Sequence, residues 1–198
     1  APKIVGRILL LGLSPFIMSV TESAIQIVFY VNLRLWSGGN SDYTAALTIM
    51  LSANQMVCMP LNGLGTGVQP LVSYNYGAGN SARIRKAIKL VAIIALCGST
   101  SVWLLSLLAP QVYGYMFSAS GPVMALVRKY TPFFKMGTIF FFAQMTLQNV
   151  FVALNQAKIS IFLACLRKVI LLIPLCFLLP YAMGVDGVFF SEGIADIA

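Results

Sequence analysis

The stretch that decides the fold is PLNGLGTGVQPLVSYNYGAGN, residues 60–80. Most of it is apolar, yet Pro60 and Pro70 bracket the pair Gly63 and Gly67. A proline inside a helix leaves a backbone carbonyl without its donor, and small residues one turn apart let two helices approach closely. In a bilayer such a segment is stable only where protein or a water-filled cavity satisfies the freed backbone groups. The pattern therefore predicts a bent, closely packed membrane helix.

The composition of the whole chain also indicates a membrane protein. Of its 198 residues, 59% are hydrophobic and only 9% are charged, whereas a soluble domain is about a quarter charged. Thirteen Lys and Arg with five Asp and Glu are too few to cover a water-exposed surface of this size. We therefore predict an all-α fold, a multi-pass bundle of transmembrane helices.

A helix needs about 20 mostly apolar residues to cross the hydrocarbon core. Five stretches satisfy this requirement, and a sixth begins near Gly184 and is cut short at Ala198. The predicted spans are residues 8–35, 45–74, 87–109, 132–154, 159–181 and the partial 184–198. Pro15 and Pro174 are further predicted bend positions, in the first and fifth spans.

The net charge of +8 is carried unevenly. Alternate loops, with the entry to the first span, hold seven basic residues on one side and three on the other, so the N-terminus and the loops near residues 80 and 157 are predicted to be cytoplasmic. The densest basic cluster runs from Arg83 to Lys89 between two apolar stretches and lacks interleaved aromatic residues. It fits anionic lipid better than nucleic acid, so no nucleic-acid partner is predicted.

Enzymatic chemistry has little support in this sequence. Histidine is absent, and the four cysteines are scattered in apolar stretches with no metal-ligand spacing. No nucleophile and base pair is recognisable. We predict neither an enzyme nor a bound cofactor or metal.

Polar residues inside the apolar stretches are the candidate functional groups. Glu22 is the only acid in the middle of the first five spans, and an acid at that depth is by default a functional candidate. Polar residues repeat at helical spacing around it and along the second span, where they either hold helices together or line a cavity. The cavity candidates are Glu22, Gln26, Gln55, Asn62, Gln69, Gln148 and Asn149.

Each basic residue within the later spans has two possible positions for its charged group, which is either buried inside the protein or extended to the membrane interface. We expect the long stem of Lys135 to carry its ammonium toward the outer interface rather than to leave it buried. Arg167 either pairs with an acid or with carbonyls, or reaches the interface in the same way. The sequence leaves the two readings of Arg167 open.

The Gln69-Pro70 pair, the Tyr74-Asn-Tyr-Gly-Ala ending and the basic residues after it closely resemble a motif of multidrug and toxic compound extrusion (MATE) transporters. Further positions agree in order along nearly the whole chain: Gly12-Leu-Ser-Pro15, Leu166-Arg167, Ile173-Pro174 and Gly184-Val-Asp-Gly. The resemblance implies one lobe of a two-lobe, pseudo-symmetric bundle. Residues 1–198 would form its C-terminal lobe, with the N-terminal lobe absent.

The resemblance also implies a function. Members of this family expel organic cations and other amphipathic, drug-like compounds in exchange for Na⁺ or H⁺, so this lobe would supply one wall of the cavity in a cell's inner membrane. Glu22 stands about where one sodium-coupled branch has a cation-binding Glu, but residues 135–149 contain no acid to match that branch's second ligand. The alternatives are a lipid-linked saccharide flippase of the same superfamily and a membrane subunit that does not transport.

Overall fold

The computed structural model describes residues 2–140, 149–150, 162 and 166–197. Every regular element in these ranges is helical. The elements are α1 (Pro2–Trp36), α2 (Ser41–Gly77), α3 (Ser81–Leu108), α4 (Gln111–Met116), α5 (Gly121–Phe134), a π-helix named π1 (Leu166–Leu172), α6 (Ile173–Met183) and α7 (Val185–Ile197). The all-α fold class is thus confirmed, whereas five full spans and a partial sixth stay a prediction.

Asparagine and glycine define the first two helix boundaries. The Asn40 side chain accepts a hydrogen bond from the Asp42 N–H at 2.9 Å, and the Asn80 side chain accepts one from the Arg83 N–H at 3.3 Å. These are N-caps, which satisfy backbone donors that the first turn leaves free. Gly39 and Gly79, one residue before each cap, have φ angles of 80° and 70°, a region that suits glycine. Both turns lie between the predicted spans, the first between 8–35 and 45–74 and the second between 45–74 and 87–109.

Helix α5 precedes most of the predicted fourth span. The prediction placed that span at residues 132–154, but α5 begins at Gly121 and ends at Phe134, before a turn over 135–137. Pro122 favours the helix start because its missing N–H is not needed in the first turn. Val123, Val127 and Phe134 then lie buried at helical spacing. Short polar interruptions in the sequence concealed this helical period.

The core joins the two ends of the chain. Phe29 of α1, Tyr130 of α5 and Phe189 of α7 are each at most 1% exposed, and the Tyr130 and Phe189 rings stack with centroids 4.1 Å apart. The cluster around them draws on six elements: Ile25, Phe29, Leu33, Leu47, Met50, Tyr130, Phe134, Leu172, Cys176, Val188, Phe189 and Ala195. This packing brings π1 and α7 against α1, so charged residues of these three elements lie near one another.

Three described helical segments are long and apolar enough to cross a membrane: Ser41–Gly77, Ser81–Leu108 and Leu166–Met183. Only 22–28% of each segment's most apolar window is buried inside the protein. Large apolar side chains therefore point outward, and Leu108, for example, is 80% exposed. Such extensive apolar surface needs a non-aqueous surrounding. The prediction that the chain is a membrane protein agrees with this surface.

Helix α2 carries residues 60–77 with their two prolines and closely spaced glycines. It continues through both Pro60 and Pro70 over 37 residues, which corresponds to about 55 Å of α-helix. The close packing predicted at Gly63 and Gly67 is not made within the described part of the chain, because a Cβ at either position would meet no atom within 4 Å. The tightly packed glycine is Gly65, whose missing Cβ leaves room for the Asn149 side chain.

Candidate functional site

The centre of the candidate site is an ion pair between α1 and π1. The Lys168 ammonium contacts the Glu22 carboxylate, although 146 positions separate the two residues in the sequence. The two partners differ in accessibility, since 49% of the Glu22 side chain is exposed against 11% of the Lys168 side chain. Glu22 therefore faces the accessible side of this lobe, which we call the open side. The ammonium of Lys168 that neutralises it is largely buried.

A second ion pair lies deeper and joins π1 to α7. The Arg167 guanidinium contacts the Asp196 carboxylate, and their side chains are only 9% and 6% exposed. Of the two readings that the sequence left open for Arg167, the structure supports pairing with an acid. Gly137 packs against the Cβ of Asp196, so the carboxylate is enclosed by the turn that follows α5.

Two neighbouring cations of π1 reach different helices, because consecutive side chains on a helix point in different directions. Arg167 and Lys168 are adjacent, and their side chains leave π1 toward α7 and α1 respectively. Pro174 follows within the first turn of α6 and has no N–H for the carbonyl four residues before it. Single π-helical turns inside a longer helix often occur at functional sites. Pro174, predicted as a bend position, thus stands at the end of this irregular turn.

Lys135 corrects a prediction. We expected its ammonium to reach the outer interface, but Lys135 is 2% exposed and donates a hydrogen bond to Asn54 Oδ1 at 2.5 Å. The residue is the C-cap of α5, and its side chain reaches α2 rather than the surface. Asn54 on α2 supplies the acceptor that makes this burial tolerable.

These groups form one charge cluster. It contains three of the chain's five acids, Glu22, Glu192 and Asp196, and three bases, Lys135, Arg167 and Lys168. Glu192 is half-buried one helical turn before Asp196 on α7 and interacts electrostatically with all three bases and with Glu22. The formal charges cancel, which lowers the free energy cost of holding ionised groups inside an apolar protein.

The predicted cavity residues fall into two groups. Gln26 is half-buried on α1, and Gln55 and Asn62 are exposed on α2. The polar rows of α1 and α2 meet where the Tyr30 hydroxyl bonds the Thr48 hydroxyl at 2.9 Å. The residues of this first group are at least partly exposed, as Glu22 is.

The second group of predicted residues lies farther along α2. Gln69 and Asn149 line a small depression with Gly65, Val72 and Val91. Gln148 lies outside the described residues, and Pro15 lies within α1. Asn149 is thus a packing partner of α2 in this structure, and its role in lining a substrate cavity stays a prediction.

The packing of Asn149 leads to a matched pair of variants. Gly65→Ala is expected to destabilise the protein by about 1–3 kcal/mol, because the added methyl overlaps the Asn149 side chain. Gly63→Ala, on the same helix and with open space around it, is expected to be neutral or slightly stabilising. Thermal unfolding of the detergent-purified protein measures both. Equal midpoints for the two variants would contradict the close approach at Gly65.

Sequence reasoning missed Asn54, Glu192 and Asp196. The two acids lie four residues apart on α7, hence on one face of an apolar helix. Their spacing, together with the adjacent cations Arg167 and Lys168, was an available signal. Among the described residues, no group of three or more His, Cys, Asp or Glu is arranged to hold a metal ion.

Known proteins resemble this chain in sequence and in fold. The sequence model of the MatE family matches residues 15–178. A MOP superfamily transporter from Pyrococcus furiosus superposes with a TM-score of 0.87 at 18% identity, covering 100% of this chain and 44% of that chain. A structure described as the MATE multidrug transporter DinF-BH in complex with R6G has a TM-score of 0.83 at 27% identity, covering 98% and 43%.

A third structure is described as an outward-facing conformation of a multidrug resistance MATE family transporter. It superposes with a TM-score of 0.87 at 18% identity, over 100% of this chain and 44% of that chain. No curated protein sequence matches the chain. The chain therefore spans less than half the length of the transporters whose structures it matches.

Proposed function

The chain belongs to the MatE family, and from this premise we propose that it forms one lobe of a secondary active transporter that expels organic cations and amphipathic compounds in exchange for Na⁺ or H⁺. Three described segments that are long and apolar enough to cross a membrane support a membrane location, which we propose to be the cell's inner membrane. The partner required for transport is the second lobe, which would close the other side of the cavity.

The observation that carries this proposal is the half-exposed carboxylate of Glu22. A charged group inside a helical membrane protein normally faces a partner or water and marks a pathway for ions or substrate. Glu22 has a cationic partner, Lys168, and a side chain that is half exposed, and Gln55 and Asn62 on α2 are exposed as well. An incoming cation would meet a carboxylate and neutral polar groups there.

The same geometry favours cationic over anionic substrates. A flippase for phosphate-bearing lipids needs accessible basic side chains, because phosphate is recognised by charge-assisted hydrogen bonds. In the described residues, Lys135, Arg167 and Lys168 are buried, and each contacts an oxygen of another side chain. A transporter of cations therefore fits this lobe better than the flippase alternative.

The proposal predicts efflux that depends on an ion gradient. Cells that express the full-length transporter should accumulate less tetraphenylphosphonium than cells that carry an empty vector. A selective ionophore that collapses the gradient of the coupling ion, Na⁺ or H⁺, should abolish this difference. The ionophore that does so identifies the coupling ion. Equal accumulation in both strains, with the protein present in the membrane, would contradict the proposed function.

A further inference from the structure

The ion pair between Glu22 and Lys168 has unequal partners. The carboxylate is on the open side of the lobe, with half of its side chain exposed, whereas the ammonium approaches from the protein interior. A cation that enters from the open side can thus reach Glu22 without passing Lys168. In the structure as it stands, the place beside the Glu22 carboxylate is taken by the side chain of Lys168.

A second acid is available to Lys168. Glu192 lies one helical turn before Asp196 on α7, and Asp196 contacts Arg167, the neighbour of Lys168 in the sequence. The lysine side chain has four flexible torsions and a compact ammonium, so it can change partners with little backbone movement. If Lys168 leaves Glu22, its ammonium can therefore pair with Glu192 and is not left unpaired in an apolar environment.

The other two bases of the cluster already have partners of their own. Arg167 contacts Asp196, and Lys135 donates to Asn54. Lys168 is the base that contacts the accessible acid. A cation that binds Glu22 would therefore act on π1 and α7 through Lys168.

We propose that Lys168 is a tethered competitor for Glu22, which neutralises the carboxylate while the site is empty and transfers to Glu192 when a transported or coupling cation binds Glu22. This inference rests on the proposed function. It assigns Lys168 and Glu192 a positioning role, in which each bound cation must displace the ammonium. The tethered ammonium thereby lowers the affinity for cations and links their binding to the helices that carry Lys168 and Glu192.

Binding of tetraphenylphosphonium to the purified full-length transporter, measured by equilibrium dialysis, tests the proposal. Lys168→Gln removes the competitor and should raise the affinity about fivefold to tenfold, as expected for the loss of one partly exposed ion pair. Lys168→Arg keeps a cation and should not raise it, because a guanidinium holds a carboxylate at least as firmly. A purely structural role for Lys168 predicts that both substitutions lower the affinity.

Glu192→Gln provides a second, independent variant in case Lys168→Gln does not fold. It removes the alternative acceptor without touching Glu22, so the affinity for tetraphenylphosphonium should fall about threefold or more. An unchanged or lower affinity for folded Lys168→Gln, or an unchanged affinity for Glu192→Gln, would overturn the proposal.

Glu22→Gln separates this inference from the proposed function. If Glu22→Gln binds and exports tetraphenylphosphonium like the wild type, the proposed role of Glu22 fails, and the competition by Lys168 fails with it. If Glu22→Gln loses binding while Lys168→Gln gains none, the cation site stands and only the tethered competitor is contradicted.

Discussion

Glu22→Gln in the full-length transporter is expected to reduce the efflux of organic cations at least about tenfold, a loss that corresponds to about 1.4 kcal/mol. Glutamine has nearly the same shape but no charge, so it cannot hold a cation electrostatically. It also leaves Lys168, whose side chain is 11% exposed, without its carboxylate partner. The rate of tetraphenylphosphonium efflux from preloaded cells measures the effect.

Two controls make the result on Glu22 specific. Ser23→Ala changes the next residue of α1, whose exposed hydroxyl donates to the carbonyl of Ser19 at 3.1 Å, and should leave efflux unchanged. The amount of Glu22→Gln protein in the membrane should match that of the wild type. Wild-type efflux by the Glu22→Gln variant would remove Glu22 from the mechanism.

The second large effect is expected at the enclosed ion pair. Arg167→Met should destabilise the protein by about 3–5 kcal/mol, because it leaves the Asp196 carboxylate in the interior without its cation. The expected results are a lower thermal midpoint in detergent and a lower amount of protein in the membrane. Lys129→Met is the matched control, since the Lys129–Asp186 pair spans 3.0 Å with side chains 56% and 38% exposed. Its loss should cost less than about 1 kcal/mol.

A double variant separates charge from packing at this pair. Arg167→Met combined with Asp196→Leu removes both charges and should recover most of the lost stability, because replacing a whole buried ion pair by apolar groups is often nearly neutral. If the double variant is as unstable as the sum of the single variants, the two side chains do not interact as the structure shows.

The sequence predicted those features that depend on local patterns. The starts of α2 and α3 follow from Asn40 and Asn80 with the glycine before each. The helical class follows from long apolar stretches with few charges. Glu22 was recognisable from its position alone, because an acid in the middle of an apolar helix is unusual.

The features that escaped prediction depend on contacts between distant segments. Glu22 and Lys168 meet across 146 positions, and Lys135 meets Asn54 across 81. Whether a lysine reaches the surface or turns inward depends on the direction of the chain at the end of α5, which no helical period specifies. The close contact at Gly65 could not be predicted from local sequence either. Gly63 and Gly67 lie in similar sequence on the same helix and have open space around them.

The central claim is that the charge cluster around Glu22 serves cation-coupled export. It is tested most directly by transport of tetraphenylphosphonium in proteoliposomes that hold the full-length transporter at equal density, as wild type or as Glu22→Gln. An imposed gradient of Na⁺ or of H⁺ should drive uphill movement of tetraphenylphosphonium by the wild type, and the same gradient should drive none by Glu22→Gln. Equal gradient-driven transport by both proteins, or none by the wild type under either gradient, would contradict the claim.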